Sequence, residues 1–523
     1  MKTKSSFLLL STLLGGLLFS YIFWDKWLGL NQLIYSIFII TVTCFNSEVA
    51  KSNKFKIYAS AHLLAAVLVV VNNSVLASVS YNISLLFFVG FAHYQAVRTV
   101  YVAAMATTLQ FITVPATLIK RLSELKIGKF DLKPVFKPIK YILLPLFIIF
   151  VFTAIYSGAN QIFAHYLETT FTGIYNFFNN IFGFIFQDLS LPRFMHFCFG
   201  LFLTAALTIT FYNKGIEKLE ASCNEKLQRV RRGKKTRSLW YQVVHTFTGQ
   251  MITKKMALKT EYIIGLISFI SLNLLLLCVN LIDISTLWLG YKPEGNFSSD
   301  LHDGTNALIF SIILAMAVIL YFFRGNLNFY YKSKTLKSLA IAWMVQNFIL
   351  IISVFIRDGY YIEFYGLTHK RIGVLVFAIL CIIGLATVYT KVAKEKTLFY
   401  LFKVNGNIWF VLLLTFSLVN WDVFIARYNL SHSDRVAVDA DYLLSLSDKT
   451  LPLLDQNRAK LHYTPAKDLS GKQFIKPRKT TFYSELLDER IGYFKERYQN
   501  VSWLSWNLQD WNTAKYFGLN NKK

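Results

Sequence analysis

Few groups of side chains in this sequence have the composition that catalysis or metal binding requires. One group is Asp300, His302 and Asp303, in the stretch DLHDG of the link Asp283–Asn306. Carboxylate oxygens and an imidazole nitrogen at this spacing can hold a cation, or an acid can serve as a general base. Solvated loops often have the same composition. This acidic cluster is therefore a candidate site, and it does not define a reaction.

A second set of candidates consists of the ionisable residues His62, His93 and Arg98, which fall in long apolar stretches. Amide side chains also fall in such stretches, at Asn72, Asn273, Asn280, Gln346 and Asn347. Ionisable residues are costly in lipid and often mark ion or substrate pathways. A lone histidine between helices is more commonly a hydrogen-bonded part of the core. No Asp or Glu falls in the middle of an apolar stretch, which argues against a proton- or sodium-coupled transporter.

Common catalytic and cofactor-binding motifs are missing from the sequence. It has no GxSxG nucleophile elbow, no HExxH zinc motif, no GxGxxG dinucleotide loop and no Walker loop. Its five cysteines do not have the paired spacing of metal ligands. We therefore predict no cofactor and no metal, and we favour a non-enzymatic protein.

The apolar stretches predict the fold class. Hydrophobic residues make up 54% of the 523 residues and charged residues only 16%, whereas soluble domains have about 25% charged residues. Many stretches reach the roughly 20 residues that a helix needs to cross a hydrocarbon core. Each must be a helix, because unpaired backbone groups are costly in lipid. We expect an all-α polytopic membrane protein with about eleven transmembrane helices, twelve being possible, and a small, mainly helical C-terminal extramembrane domain.

The links between the apolar stretches predict the orientation. The net charge of +26 lies mostly in these links, as expected for positively charged cytoplasmic loops, so we expect no nucleic-acid partner. With the N-terminus inside, four spans before Lys120 place every basic link in the cytoplasm. Tyr101–Ile119 is then predicted to be a re-entrant or surface helix. Eleven spans place the C-terminal domain outside.

These predictions divide the chain into three regions. Residues 1–119 form a four-span region with the possible re-entrant helix 101–119. Residues 120–425 form a seven-span region, including one span near Phe147, with basic cytoplasmic loops at 120–140 and 213–260. The second loop is expected to contain an amphipathic helix at Lys214–Arg232. Residues 426–523 form the C-terminal domain, which we expect in the periplasm.

The start of the C-terminal domain contains the residues most suited to structural or interaction roles. They are Arg427, Tyr428, Asn429, Asp439, Asp441 and Tyr442. Asp439 or Asp441 can cap a short helix, and Arg427 is predicted to pair with one of these two carboxylates. Ser447 and Pro452 predict a break and a second short helix.

The end of the same domain combines one strong helix with three tryptophans. The pattern predicts a helix over Phe482–Gln499. Beyond it lie Trp503, Trp506 and Trp511. These side chains could form a sugar-binding platform, but tryptophans at such positions more often pack internally or anchor a protein in the membrane interface.

Two stretches resemble a known family. They are WDKWLGLN at Trp24–Asn31 and NWDVFIARYNL at Asn420–Leu430, the latter followed by DADYLLSLSDKTLPLL. Both are similar to multi-pass bacterial membrane proteins with a domain of unknown function, number four-one-seven-three or the related four-one-five-three. The resemblance implies a location in the bacterial inner membrane and implies no activity.

Three functions are compatible with these observations. The favoured one is a non-enzymatic scaffold, sensor or accessory subunit of a cell-envelope complex, with the lipid bilayer and one or more envelope proteins as partners. The second is a transporter or channel for a lipid, glycan or other solute, since eleven spans exceed what an anchor needs. The third is an envelope glycan or lipid transferase that uses Asp300 and Asp303.

Overall fold

The computed structural model describes most of the chain. The described residues are 2–45, 47–123, 126–127, 130–131, 145, 148–149, 152–153, 156–157, 160–185, 190–209, 214–228, 258–288, 297–434, 438–461 and 480–519. Phe147, at the centre of one predicted span, lies outside the described residues, as do residues 229–257.

The described residues are almost entirely helical. In chain order the helices are α1 (Lys2–Phe23), α2 (Leu30–Cys44), α3 (Ser47–Lys51), α4 (Asn53–Asn72), α5 (Val75–His93), α6 (Val100–Ser123), α7 (Gln161–Ile185), α8 (Leu191–Thr208), α9 (Lys214–Ala221), α10 (Leu258–Asp283), α11 (Phe297–Phe322), α12 (Ser333–Tyr365), α13 (His369–Ala393), α14 (Leu398–Ser417), α15 (Trp421–Ser431), α16 (Ala440–Ser445), α17 (Leu451–Gln456), α18 (Thr480–Gln499) and α19 (Leu508–Tyr516). Two short strands, β1 (Lys126–Ile127) and β2 (Phe130–Asp131), pair antiparallel.

Many of these helices have the length and composition of membrane spans. Within the described residues, eight qualify: α4, α5, α6, α8, α10, α12, α13 and α14. Shorter apolar helical segments lie at Phe7–Phe23, Leu30–Cys44 and Ala307–Phe322. The predicted class, a helical protein with many apolar helices suited to a membrane, is confirmed. The number of crossings stays a prediction, because α6 is long and apolar enough to cross and contains the segment predicted to be re-entrant.

One predicted helix boundary is wrong. The basic helix expected to reach Arg232 ends at Ala221. Beyond Ala221 the chain pairs with a distant segment instead, since Leu227 N donates to Glu395 O at 2.8 Å. This tertiary pairing takes the place of further helical hydrogen bonds in the described part of the link.

The first of two compact units comprises residues 1–97, 101–217 and 501–507. In this unit α1 and α8 pack closely through glycines. A Cβ atom on Gly16 would lie 2.5 Å from the Leu201 side chain, and one on Gly200 would lie 2.7 Å from the Phe19 ring. Small residues allow two membrane helices to approach this closely and gain van der Waals contact.

The second unit comprises residues 98–100, 218–500 and 508–523. Its apolar helices α10–α14 share one core, which includes Phe269, Ile319, Phe323, Leu336, Ile351 and Val388. The C-terminal helices α15–α19 build another core, which includes Leu367, Ile425, Leu443, Leu451, Tyr483 and Phe494. Leu367 belongs to the turn between α12 and α13, so this turn is part of the C-terminal core.

The predicted helix cap, helix break and long helix of the C-terminal residues are confirmed. Asp439 caps α16, because its side chain accepts a hydrogen bond from Tyr442 N at 2.9 Å. Ser447 precedes the break, and Pro452 stands in the first turn of α17. The strong helix was predicted at residues 482–499, and α18 covers Thr480–Gln499.

Candidate functional site

The turn between α12 and α13 is held by one side chain of α15. Asn429 Oδ1 accepts a hydrogen bond from Leu367 N at 2.6 Å, and Asn429 Nδ2 donates to Leu367 O at 2.9 Å. Asn429 is 6% exposed and Leu367 is 5% exposed. A single amide therefore satisfies both backbone groups of a buried residue, which would otherwise carry the cost of desolvation. We call this pair the asparagine clamp.

Gly366 and Arg371 shape the same turn. Gly366 has φ of 76°, a left-handed conformation that ends α12 and that favours glycine. Arg371 Nη1 donates to the carbonyl of Tyr365 at 2.9 Å and also to the carbonyl of Gly366. Its guanidinium lies 4.8 Å from the centre of the Tyr361 ring. The end of α12 is thus satisfied by a cation, which also matches the negative end of the helix dipole.

Next to the clamp, three side chains form a hydrogen-bonded chain. His369 Nε2 lies 2.9 Å from Asp422 Oδ1, and His369 Nδ1 lies 3.0 Å from the Tyr442 hydroxyl. With Nε2–H donated to Asp422, Nδ1 accepts the hydroxyl proton of Tyr442. The same hydroxyl accepts the backbone N–H of His369 at 3.0 Å. We call these residues the Asp–His–Tyr chain.

The electrostatics of this chain favour an ionised aspartate and a protonated tyrosine. Burial alone would raise the pKa of Asp422, but hydrogen bonds from His369 and Ser447 outweigh it and lower the pKa to about 2. Burial raises the pKa of Tyr442. An acid, an imidazole and a hydroxyl in this order can activate a nucleophile. Here the hydroxyl also accepts the first N–H of α13, so the arrangement fastens α15 and α16 to the turn.

The predicted pairing of Arg427 with Asp439 or Asp441 is wrong. Arg427 is exposed on α15, and within the described residues no ion pair joins it to either carboxylate. Asp439 caps α16, while Asp441 Oδ2 accepts from the Tyr483 hydroxyl at 3.3 Å. Residues two apart on a helix point in nearly opposite directions. Since Asn429 faces the core, Arg427 must face away from it.

Of the other predicted residues in the C-terminal helices, Asn429 and Tyr442 belong to the site, and Tyr428 precedes Asn429 on α15. The Tyr428 ring stacks on His432 with centroids 4.4 Å apart. Sequence reasoning missed His369, Asp422 and Leu367. Asp422 lies within the NWDV stretch that supported the resemblance, which was the one available signal.

A second candidate region is a row of polar residues between α10 and α12. We call it the polar seam, and its members are Asn273, Asn280, Asp283, Gln346, Ser353 and Arg357. Gln346 Nε2 donates to Asn273 Oδ1 at 2.8 Å, and Asn280 Nδ2 donates to Gln346 O at 3.1 Å. Arg357 and Asp283 form an ion pair at 2.6 Å. Three of the five amides found in the apolar stretches, Asn273, Asn280 and Gln346, therefore meet across two helices.

The seam contains acceptors that the described protein atoms do not satisfy. Asn280 Oδ1, Asp283 Oδ2 and Gln346 Oε1 are buried and have no hydrogen-bond partner in that part of the chain. The sequence predicts that Asp283 lies in a link, and this is wrong: Asp283 is the last residue of α10 and is 5% exposed. The helix simply continues farther than the apolar stretch indicated, with Ile284–Trp288 adding a π-helical turn.

The three ionisable candidates of the N-terminal stretches do not form one site. His62 is fully buried, and its Nδ1 lies 2.9 Å from the Ser84 hydroxyl. His93 Nε2 donates to Leu207 O at 2.9 Å. Arg98 lies beyond the end of α5 and donates to the carbonyl of Cys223 at 2.6 Å. Each is engaged in local structure.

The acidic cluster lies in a helix rather than in a loop. Asp300, His302 and Asp303 belong to the first turns of α11, and their side chains lie outside the described part of the structure. The site interpretation stays a prediction. In the described residues no group of three or more His, Cys, Asp and Glu side chains could hold a metal ion.

These features define a class of protein: a helical protein with many apolar, membrane-length helices, whose C-terminal helices pack against one interhelical turn. The chain belongs to the family described as Domain of unknown function (DUF4153), whose family model matches residues 57–457. This is the second of the two families that the sequence resembles. Neither a curated protein nor a solved structure matches the chain.

The asparagine clamp predicts a specific stability loss. Asn429→Ala leaves the N–H and C=O of Leu367 unpaired, at a cost of about 1–3 kcal/mol for each group. We expect a lower unfolding midpoint in detergent and faster hydrogen exchange at the turn. The matched control is Asn500→Ala, since Asn500 is exposed and makes only a 3.3 Å bond to Glu496 O. Equal midpoints for the two variants would show that the clamp contributes nothing.

The Asp–His–Tyr chain predicts a pH dependence. The pKa of Asp422 falls from an ordinary 3.8 to about 2 in the folded protein. The lowered pKa contributes stability that is present above pH 4 or so and is lost as the pH falls toward about 2. We expect the difference in melting temperature between the wild type and Asp422→Asn to shrink over this interval. A difference that is constant from pH 6 to pH 2 would contradict this assignment.

Proposed function

We propose that this protein is a non-enzymatic scaffold or accessory subunit of a complex in the bacterial inner membrane, with its C-terminal helices on the periplasmic side. The family membership and the apolar helices support a membrane protein. The basic links support the orientation. The more specific role is supported by the way in which the C-terminal helices are attached to the turn between α12 and α13.

The observation that carries this proposal is the asparagine clamp together with the insertion of Leu367 into the C-terminal core. A domain on a flexible linker can take many orientations relative to its membrane helices, whereas a domain that buries a turn residue in its core has one. A fixed orientation benefits a surface that must meet a partner, because less conformational freedom is lost on binding.

The ion pairs of the domain support the same role. Arg490 binds Asp448 at 2.8 Å and the carbonyl of Leu446 at 2.8 Å. Arg458 joins Asp455 to Asp488 at 2.7 and 2.6 Å. These charges connect α16, α17, α18 and the short helical turn before α17. They are used to hold the domain together, as a rigid binding module requires.

The test compares proteins that co-purify with three full-length chains in mild detergent. Mass spectrometry should find a stoichiometric protein partner with the wild type and with Asn500→Ala. The partner should be depleted with Asn429→Ala and with Asp422→Asn, since both loosen the same junction. A wild type without a protein partner contradicts the proposal, as does a partner that all variants retain equally.

The polar seam favours a second candidate, a transporter or channel for a hydrophilic solute. Its buried acceptors need hydrogen-bond donors, and water or a polar solute between α10 and α12 would supply them. Apolar packing between two helices would not need such a row of amides. The ion pair of Asp283 and Arg357 lies in the same row and would line the same path.

Thiol accessibility distinguishes a hydrated seam from a dry one. In a chain whose native cysteines are replaced, Asn280→Cys and Ser353→Cys should react with a small hydrophilic thiol reagent if the seam is wet. Leu275→Cys is the matched control on α10, because Leu275 is 64% exposed on the apolar surface and should contact lipid. If neither seam position reacts faster than Leu275→Cys, the transport hypothesis is wrong.

A further inference from the structure

A segment near the C-terminus packs against the turn between the first two helices. Leu30 N donates to Trp506 O at 3.1 Å. Leu504 is 1% exposed and shares a core with Phe19, Ile22, Tyr35 and Ile39 of α1 and α2. The segment 501–507 is therefore a built part of the first unit, and it covers the end of the α1–α2 hairpin.

Gly29 permits this contact by its lack of a side chain. A Cβ atom there would lie 2.6 Å from Ser505 O and 2.7 Å from Trp506 O. Real Cβ atoms do not approach backbone oxygens this closely, so any larger residue at position 29 must displace the segment.

The hairpin turn and the segment both present large apolar side chains to the outside. Trp27 is 67% exposed, Trp503 is 63% exposed and Leu28 is 44% exposed. Each is one or two residues from a buried anchor of the same contact, Gly29 or Leu504. The contact therefore holds the backbone next to both tryptophans while their side chains stay exposed.

The surface of α1 indicates what covers these side chains. Leu10, Leu14, Leu17 and Tyr21 are 56%, 50%, 52% and 60% exposed. Their spacing of three or four residues puts them on one face of α1. An apolar face on a helix with this composition faces lipid, and it leads along the helix toward the turn that carries Trp27.

We propose that Trp27, Leu28 and Trp503 form an interfacial anchor, inserted into the lipid bilayer where the headgroups meet the acyl chains. Tryptophan prefers this depth because its ring is apolar and its N–H remains hydrated. The anchor continues the lipid-facing surface of α1 up to the membrane interface. Lys26 lies beside the anchor, where its Nζ donates to the carbonyl of Tyr21 at 2.7 Å and lies 4.7 Å from the Tyr21 ring.

The contact between the hairpin turn and the segment 501–507 also determines which side of the bilayer the segment occupies. A direct hydrogen bond to Leu30 requires the segment to be on the same side as the hairpin turn. Where α1 crosses the bilayer, that side is opposite the N-terminus. Lys2 and Val501 then lie on opposite sides of the bilayer. The chain must therefore cross the bilayer an odd number of times between these two residues.

The test measures quenching of tryptophan emission in nanodiscs made from phosphatidylcholine brominated on the acyl carbons near the headgroup, or on carbons near the chain ends. Subtracting the spectrum of Trp503→Phe from that of the wild type isolates the emission of Trp503. We expect a loss of most of this emission with the shallow bromine and a smaller loss with the deep bromine. Trp343→Phe is the control, because Trp343 is 6% exposed in a helical core and should be quenched by neither lipid.

Two further measurements complete the test. Gly29→Ala should reduce the quenching of Trp503, whereas Gly173→Ala should not, since no atom lies within 4 Å of a Cβ on Gly173. In the wild type, aqueous iodide should quench Trp503 weakly. Strong quenching by iodide with none by brominated lipid would mean a solvated surface and would overturn the anchor. Quenching by neither would mean that protein, such as a second copy of the chain, covers Trp503, and it would also overturn the anchor.

Discussion

Backbone groups at the ends of buried helices must find their hydrogen-bond partners inside the protein, since hydrocarbon offers none. In this chain the partners are repeatedly side-chain amides. Asn31 bonds two N–H groups and two carbonyls around the turn after α1. Gln110 donates to two carbonyls at the end of α8, and Asn328 to two at the end of α11. Asn429 does the same for the turn after α12. An amide suits this task because it carries donors and an acceptor without a charge to desolvate.

Buried cations meet the same constraint at the negative ends of helices. Lys391 is 1% exposed and donates to the carbonyl of Phe323 at 2.7 Å, just beyond the end of α11. Arg371 binds carbonyls at the end of α12, and Arg98 binds the carbonyls of Glu220 and Cys223 at the end of α9. A lysine whose position in a basic link suggests a cytoplasmic charge can therefore cap the C-terminal end of a helix instead. Counting basic residues in links overstates the number that are free to interact with headgroups.

The sequence could predict what depends on local pattern. The apolar helices, the cap at Asp439 and the helix α18 depend on residues within a few turns of one another. The site depends on contacts of Leu367 with Asn429 and of His369 with Asp422. The partners in each contact are more than 50 residues apart in the sequence, and no periodicity reveals such pairs. The error at Arg427 has a geometric cause. A charge pattern shows which residues attract each other, but only the helix phase shows which of them face the core.

The contact between the first hairpin and residues 501–507 has a consequence for the order of synthesis. The hairpin is made and inserted early, but its covering segment leaves the ribosome about 470 residues later, closing a very long loop. Throughout that interval the N–H of Leu30 lacks the Trp506 carbonyl, and the apolar recess for Leu504 is unfilled. A chain interrupted before Val501 has an inserted hairpin with an open end.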